Sequence, residues 1–346
     1  VIDPSAIAGV AAPAPGASVA LAAGLEWLRL PVPGSLRHIN VWLLDDGDGL
    51  TLVDTGMNVP EARAAWDGPL ADVFAGRPLR RIVCTHHHPD HAGLAAWLAA
   101  RHGARVWMSA AELDLVARAY RESGDAAVEA ARRTAFQRDG LEVDDRSMRL
   151  VSGAGYLGVM SGCPDDVGIL GAGDTLRAGG RAWRVLELAG HTDGQLLLHD
   201  AEDGLLLAGD QVLPRISANV GIYPERRDDD PLASYLASFD ALEALDPEPV
   251  VLPSHGEPFH GLRARLRVLR GHHRARLDAL ERLCRVPVTA AEAASQLYRG
   301  ALDPLNRMLA LGETLAHLKR LEIRGRVEAR EGPGGPRRFV ATTPGG

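Results

Sequence analysis

Arg81-Ile82-Val83-Cys84-Thr85-His86-His87-His88-Pro89-Asp90-His91 joins a short β-branched run to a crowded set of metal-binding side chains. Pro89 cannot continue a central strand, so the histidines belong to a loop at a strand's end. Alternate residues of an extended loop point the same way, which lets His86 and His88 grip one ion while Asp90 and His91 turn toward a second. Imidazole suits zinc, iron and similar ions, and a carboxylate hardens the second position.

The same device recurs further along the chain. Short apolar strands are expected at 40–44, 50–53, 105–108, 183–188, 195–199, 205–208 and 250–252. His191 follows 183–188 in Ala-Gly-His-Thr-Asp-Gly, Asp210 follows 205–208 in Ala-Gly-Asp-Gln, and His255 follows 250–252 in Pro-Ser-His-Gly-Glu. His191 would complete three nitrogens on the first metal and His255 the second site, while Asp210 reaches both with its two oxygens. Of the 13 histidines, these five share a setting: each sits in a turn containing Gly or Pro after an apolar run. His87 is out of the alternating phase, His102 and His199 sit at element ends, and His272, His273 and His317 lie on helices, so all six read as ordinary packed or surface residues.

Around these strands, 61–74, 92–101 and 109–137 carry helical periodicity, and strand-loop-helix-strand is the order of an α/β layer. Residues 152–173, with seven glycines, read as a long functional or mobile loop beside the site. Residues 1–24, rich in Ala, Pro and Gly, read as a partly ordered lead-in that lacks the positive flank of a signal peptide. The three cysteines are far apart and odd in number, which argues against a disulfide framework and for the cytoplasm. No stretch suits a membrane span.

From Arg263 onward there are 17 Lys or Arg against 8 Asp or Glu, in a chain whose overall net charge is −7. Much of that excess is Arg in an Ala-rich sequence, so composition explains part of it. The elements expected there are a basic helix over 262–283, helices at 289–298 and 313–321, and strands at 325–327 and 337–340. That is the outline of a small winged-helix domain. The expected division is a lead-in (1–24), a catalytic domain (25–261) and a winged-helix domain (262–346), with the chemistry confined to the part before residue 262.

Thr85-His86-His87-His88-Pro89-Asp90-His91, Gly190-His191-Thr192-Asp193-Gly194, Gly209-Asp210 and Ser254-His255-Gly256 together resemble the successive motifs of the metallo-β-lactamase superfamily, with Asp54-Thr55-Gly56 matching its first. The resemblance spans about residues 41–260 and implies an α/β fold, the four-layer αβ/βα sandwich with metals at one edge of two sheets. It also implies that Asp54 is not a ligand but orients a ligand His by hydrogen bond. The tail resembles, more loosely, the winged helix of the lactamase-like protein 2 group. Asp210 stands where zinc β-lactamases often keep a Cys or an unbridged ligand, which argues against antibiotic hydrolysis.

Two divalent cations, zinc first with iron or manganese as alternatives, would share a water and lower its pKa from about 16 to roughly 7. Asp90 is the group expected to take or relay a proton. The expected substrate is a small thioester or ester, as in the glyoxalase II-like branch, with Arg215, Asn219 and Tyr223 gripping an anionic or polar acyl carrier. The alternative is an RNA phosphodiesterase using the basic tail, with Arg320, Arg324 and Arg326 on phosphate. A third reading gives the tail a non-enzymatic binding or dimerisation role, with Leu297, Leu305, Leu309 and Leu315 forming its core or an interface.

Overall fold

The computed structural model describes residues 7, 9–74, 76–151, 153–223, 230–332 and 334–342. In chain order the strands are β1 (Ser18–Ala22), β2 (Leu25–Pro31), β3 (His38–Asp45), β4 (Leu50–Val53), β5 (Leu79–Val83), β6 (Arg105–Met108), β7 (Val167–Ile169), β8 (Thr175–Ala178), β9 (Arg181–Leu188), β10 (Gln195–Asp200), β11 (Leu205–Gly209), β12 (Val250–Pro253), β13 (Val327–Arg330) and β14 (Arg338–Ala341). The helices are α1 (Pro60–Asp67), α2 (Pro89–Ala92), α3 (Ala95–His102), α4 (Ala110–Glu122), α5 (Ala126–Arg138), α6 (Asp145–Val151), α7 (Gly153–Gly158), α8 (Pro231–Glu243), α9 (Leu262–Leu283), α10 (Ala290–Leu297) and α11 (Pro304–Ile323).

The chain forms two compact units, one of Val1–Arg121, Tyr156–Ala218 and Ala241–Arg265, the other of Glu122–Gly155, Asn219–Asp240 and Leu266–Gly346. The second is discontinuous, joining Leu266–Gly346 to Glu122–Gly155 and Asn219–Asp240. A chain ended at residue 261 would part 266–346 from 122–155 and 219–240.

In the first unit, β1 to β7 make one sheet in sequence order and β12-β11-β10-β9-β8 a second. The alternation of side chains along each strand decides what each face meets. Ile39, Val41 and Leu43 of β3, with Leu50 and Leu52 of β4, pack on Ala62 and Trp66 of α1 and Leu98 of α3. Trp42, Leu44 and Val53 point the other way, joining Val185, Leu196, Leu198, Leu205, Leu207, Val250 and Leu252 of the second sheet. The two sheets thus bury one face of each against the other. This is the α/β architecture of two sheets flanked by helices.

Within 1–24, β1 pairs with β2 as an edge strand, its antiparallel register supplied by its neighbour despite weak β-propensity; residues 1–6 and 8 lie outside the described residues. One expectation is corrected. Residues 152–173 are not one long loop: α7 and β7 fall there, β7 pairing in parallel with β6, while residue 152 lies outside the described residues. Tyr156 of α7 donates from its hydroxyl to the His87 carbonyl oxygen at 2.7 Å, a tertiary tie that local glycine content does not reveal.

In the second unit α11 runs through 20 residues, starting at Asp303, whose side chain accepts from Asn306 N, with Pro304 at its first position. The hairpin β13–β14 is antiparallel, and Thr289 and Glu292 form a capping box at the start of α10. Replacing Leu207, 1% exposed in the core between the two sheets, with Ala should cost about 2–5 kcal/mol in urea unfolding. A loss well below 1 kcal/mol would show that the sheets do not meet there.

Candidate metal centre

Five strand ends of the first unit converge on the site: Asp54 follows β4, His86 follows β5, His191 follows β9, Asp210 follows β11 and His255 follows β12. Backbone bonds hold the loops in register. Asp54 N donates to Val83 O at 2.9 Å, Leu196 N to Thr85 O at 2.8 Å, Ser254 N to Gly209 O at 3.1 Å and Asn40 N to Ser254 O at 2.7 Å. The glycines beside the ligands allow the turns: Gly256 has φ +89°, and a Cβ there would lie 2.5 Å from Pro214 Cγ.

The seven expected ligands fall into two groups, each with its ligating atoms within 4.8 Å of one another: His86, His88, His191 and Asp210 in one, Asp90, His91 and His255 in the other. Asp210 faces both. Its Oδ2 lies 3.5 Å from His191 Nε2, and its Oδ1 lies 3.5 Å from both His91 Nε2 and His255 Nε2. Asp90 Oδ2 is 3.3 Å from His255 Nε2 and 3.8 Å from His91 Nε2.

Further hydrogen bonds fix which nitrogen of each ring faces inward. His91 donates Nδ1–H to Asp54 Oδ2 at 2.7 Å, and His255 donates Nδ1–H to His38 O at 2.8 Å. Both therefore present Nε2 to the carboxylates. Asp54 stands at φ +62° and also accepts from Thr85 N at 2.7 Å and from the Thr85 hydroxyl at 2.9 Å.

Charge is divided unevenly. Burial, reinforced by the neighbouring imidazoles, holds His86 and His88 well below the usual imidazole value. Burial alone would depress His91 too, but the carboxylates of Asp54, Asp210 and Asp90 carry it well above, and Asp210 and Asp90 likewise raise His255. Burial would raise Asp90 and Asp210; the adjoining imidazoles overcome it, bringing Asp90 down to about 2 and lowering Asp210 further.

The donor set fits divalent cations. His91 Nε2, His255 Nε2 and Asp210 Oδ1 are buried with no hydrogen-bond partner among the described residues, a costly state that a cation would relieve. Nitrogen and carboxylate oxygen are the donors zinc and similar ions take.

The three residues expected to grip an acyl carrier fall in both units. Arg215 is exposed in the first unit. Asn219 and Tyr223 belong to the second, where Tyr223 donates its hydroxyl to Asn219 Oδ1 at 2.6 Å and Asn219 donates from Nδ2 to Leu309 O at 3.3 Å. Those bonds hold the segment against α11.

Glu112 is the residue the sequence reading passed over. Fully buried on α4, it accepts at Oε2 from His87 N at 2.9 Å and from His87 Nδ1 at 2.6 Å, and at Oε1 from Gly194 N at 2.9 Å. One carboxylate thereby ties the loop carrying His86 and His88 to the loop carrying His191. Burial would raise it, but the His87 contact brings it down to about 2. The available signal was an acid four residues before Val116, on the buried face of an amphipathic helix.

Two facing sheets, with buried His and Asp side chains gathered at five strand ends, define a family. Residues 34–255 match the family described as the Metallo-beta-lactamase superfamily, to which the chain belongs, and residues 277–342 match the family described as the Metallo-beta-lactamase-like, C-terminal domain. The chain is 36% identical to a beta-lactamase domain protein from Burkholderia ambifaria, with a TM-score of 0.85 over 96% of this chain and 97% of that one. It is 28% identical over 312 residues to the probable metallo-hydrolase YqjP of Bacillus subtilis (strain 168), covering 85% of this chain and 91% of that protein. It is also 28% identical over 232 residues to a hydroxyacylglutathione hydrolase of Acidiphilium cryptum (strain JF-5), covering 67% of this chain and 69% of that one.

Glu112→Ala leaves the amides of His87 and Gly194 buried without their acceptor, at about 1–3 kcal/mol each. We expect a clear drop in unfolding free energy by denaturant titration, with Glu112→Gln losing less. Equal stability of Glu112→Ala and the parent would show that the carboxylate does not bind the two loops together.

Proposed function

We propose that this metallo-hydrolase cleaves a small thioester or ester with two divalent cations, zinc first and iron or manganese as alternatives. His86, His88, His191 and Asp210 would hold one, and Asp90, His91, His255 and Asp210 the other. The observation that carries this is the divided reach of Asp210, one oxygen toward His191 and the other toward His91 and His255. Such a pair of ions supplies Lewis acidity and lowers the pKa of a water to roughly 7.

The chain's own residues do the positioning. Asp54 and the His38 carbonyl hold the His91 and His255 rings with Nε2 inward. Asp90, kept ionised by His91 and His255, is an acceptor for a proton released beside it. Thioester chemistry is supported by the likeness to a hydroxyacylglutathione hydrolase, and Arg215 is the exposed cation we assign to an anionic acyl carrier. All three thiols are free in the fold, which supports a reducing compartment. Among the described residues no helix is long and apolar enough to cross a membrane.

We read α9, α10 and α11 with the β13–β14 hairpin as a winged helix. We favour an RNA-binding use of it less, because two of the three arginines it would call on, Arg320 and Arg326, meet acids within their own unit, while Arg324 stands exposed. Arg320 pairs with Asp230, Arg326 with Glu281, Arg337 with Asp139 and Arg338 with Glu292.

Asp210→Ala should lower metal content by at least one ion per chain relative to the parent, read by elemental analysis, and abolish turnover across acyl-CoA, acyl-glutathione, lactone and simple ester substrates. An unchanged complement would remove Asp210 from the centre, and turnover of short RNA in place of esters would overturn the substrate class. Asp54→Ala, which frees the His91 ring, should weaken metal affinity or activity by about 10- to 100-fold without abolishing binding. No effect would refute its orienting role.

A further inference from the structure

The second unit contains a cluster that the hydrolytic centre does not use. One ligating atom from each of His272, His273 and Glu313 lies within 4.8 Å of the other two. His272 and His273 come from α9 and Glu313 from α11, so two helices bring together residues that read individually as ordinary helical side chains. We propose that His272, His273 and Glu313 form a further cation site, suited to zinc or another borderline divalent ion.

Hydrogen bonding prepares His273 as a ligand. The His317 ring meets the Glu313 carbonyl oxygen with Nδ1 at 2.7 Å; a carbonyl only accepts, so His317 Nδ1 carries the proton. With its proton on Nδ1, the His317 ring offers the lone pair of Nε2. His273 Nδ1 lies 3.1 Å from that Nε2 and donates to it. The lone pair of His273 is thereby placed on Nε2, which is buried and has no hydrogen-bond partner among the described residues. A backbone carbonyl that orients one imidazole, which orients a second with its free nitrogen outward, is the arrangement that sets ligand histidines in metal sites.

Glu313 supplies a carboxylate donor. It is 7% exposed, and its Oε1 also lacks a hydrogen-bond partner among the described residues. Tetrahedral coordination at zinc-ligand distances near 2.0–2.1 Å sets ligand atoms about 3.3 Å apart, so the cluster closes by side-chain rotation. Water would take the fourth position.

Arg276 occupies the place of the ion's charge. Its Nε donates to His272 Nε2 at 3.1 Å and lies 3.7 Å from Glu313 Oε1, while its guanidinium carbon sits 4.2 Å from the Tyr298 ring centroid. The Arg276 side chain is 21% exposed, enough to swing outward as a cation enters. Ion and arginine therefore compete for the same carboxylate and imidazole, which makes the site weaker than the centre in the first unit and selective for conditions of available zinc.

The test is metal titration of the full-length chain with Zn2+, and with Co2+ read by its visible absorption, in the parent, H273Q, E313Q and R276Q. Uptake of one more equivalent by the parent than by H273Q and E313Q supports the site, as does an affinity for that equivalent raised about tenfold or more in R276Q, where a like charge at contact range is gone. Glu313→Gln is isosteric, so if His273→Gln fails to fold the comparison rests on E313Q with its circular dichroism matched to the parent. Equal uptake by parent and E313Q overturns the proposal, and so does an extra equivalent that persists in both variants. Neither outcome depends on Asp210, whose own variant tests the hydrolytic centre.

Discussion

A carboxylate taken out of water must be neutralised where it lies, and the surroundings of Asp210 follow from that requirement. Its partners are imidazoles, at 3.5 Å on either oxygen, and the carboxylates around them hold His91 and His255 above the usual imidazole value. His86 and His88 face the opposite pressure and stay neutral. The result is one nitrogen-rich pocket and one carboxylate-rich pocket joined by a shared acid. Cations entering such a place displace protons, so metal affinity and pH are linked through the same few groups.

Convergence of that kind needs loops that do not drift. Asp54, Glu112 and the His38 carbonyl each hold a loop by hydrogen bond, and none is among Asp210 and the six residues that gather around it. Their bonds reach across 31, 82 and 217 residues of sequence respectively. Strand ends give the ligands approximate position; these long-range bonds set ring orientation, which is what a metal site requires of its supports.

The division between what the sequence discloses and what it hides has the same physical origin. His86, His88, Asp90, His91, His191, Asp210 and His255 are legible because each follows an apolar strand in a turn rich in Gly or Pro, a local pattern. The strands themselves are legible because most run four residues or more with apolar side chains on both faces, as Val250–Pro253 does. Glu112 is hidden because its meaning depends on two loops elsewhere in the chain. Strand β1 and helix α7 are hidden because Ala, Pro and Gly specify little by themselves, and a neighbouring strand or a Tyr156 hydroxyl decides for them. The second unit is hidden because 122–155 and 219–240 join it by packing: Ala291 N donates to Asp139 O at 3.0 Å and Ile222 N to Gly312 O at 3.0 Å.

Formal charge misleads for a related reason. A count of 17 basic against 8 acidic residues after residue 262 suggests a surface seeking an anion. The fold brings Asp139 and Asp230, which precede that stretch, against Arg337 and Arg320, so the count omits acids that belong to the same unit. Arg276 goes further inward, lying beside buried Glu313 as its internal cation. Asp210 has imidazoles where Glu313 has a guanidinium, and the difference decides their chemistry. An imidazole can surrender its proton and become a ligand, whereas a guanidinium keeps its charge and can only move aside. The first arrangement is built to take ions readily, and the second admits one only by displacing the residue that stands in for it.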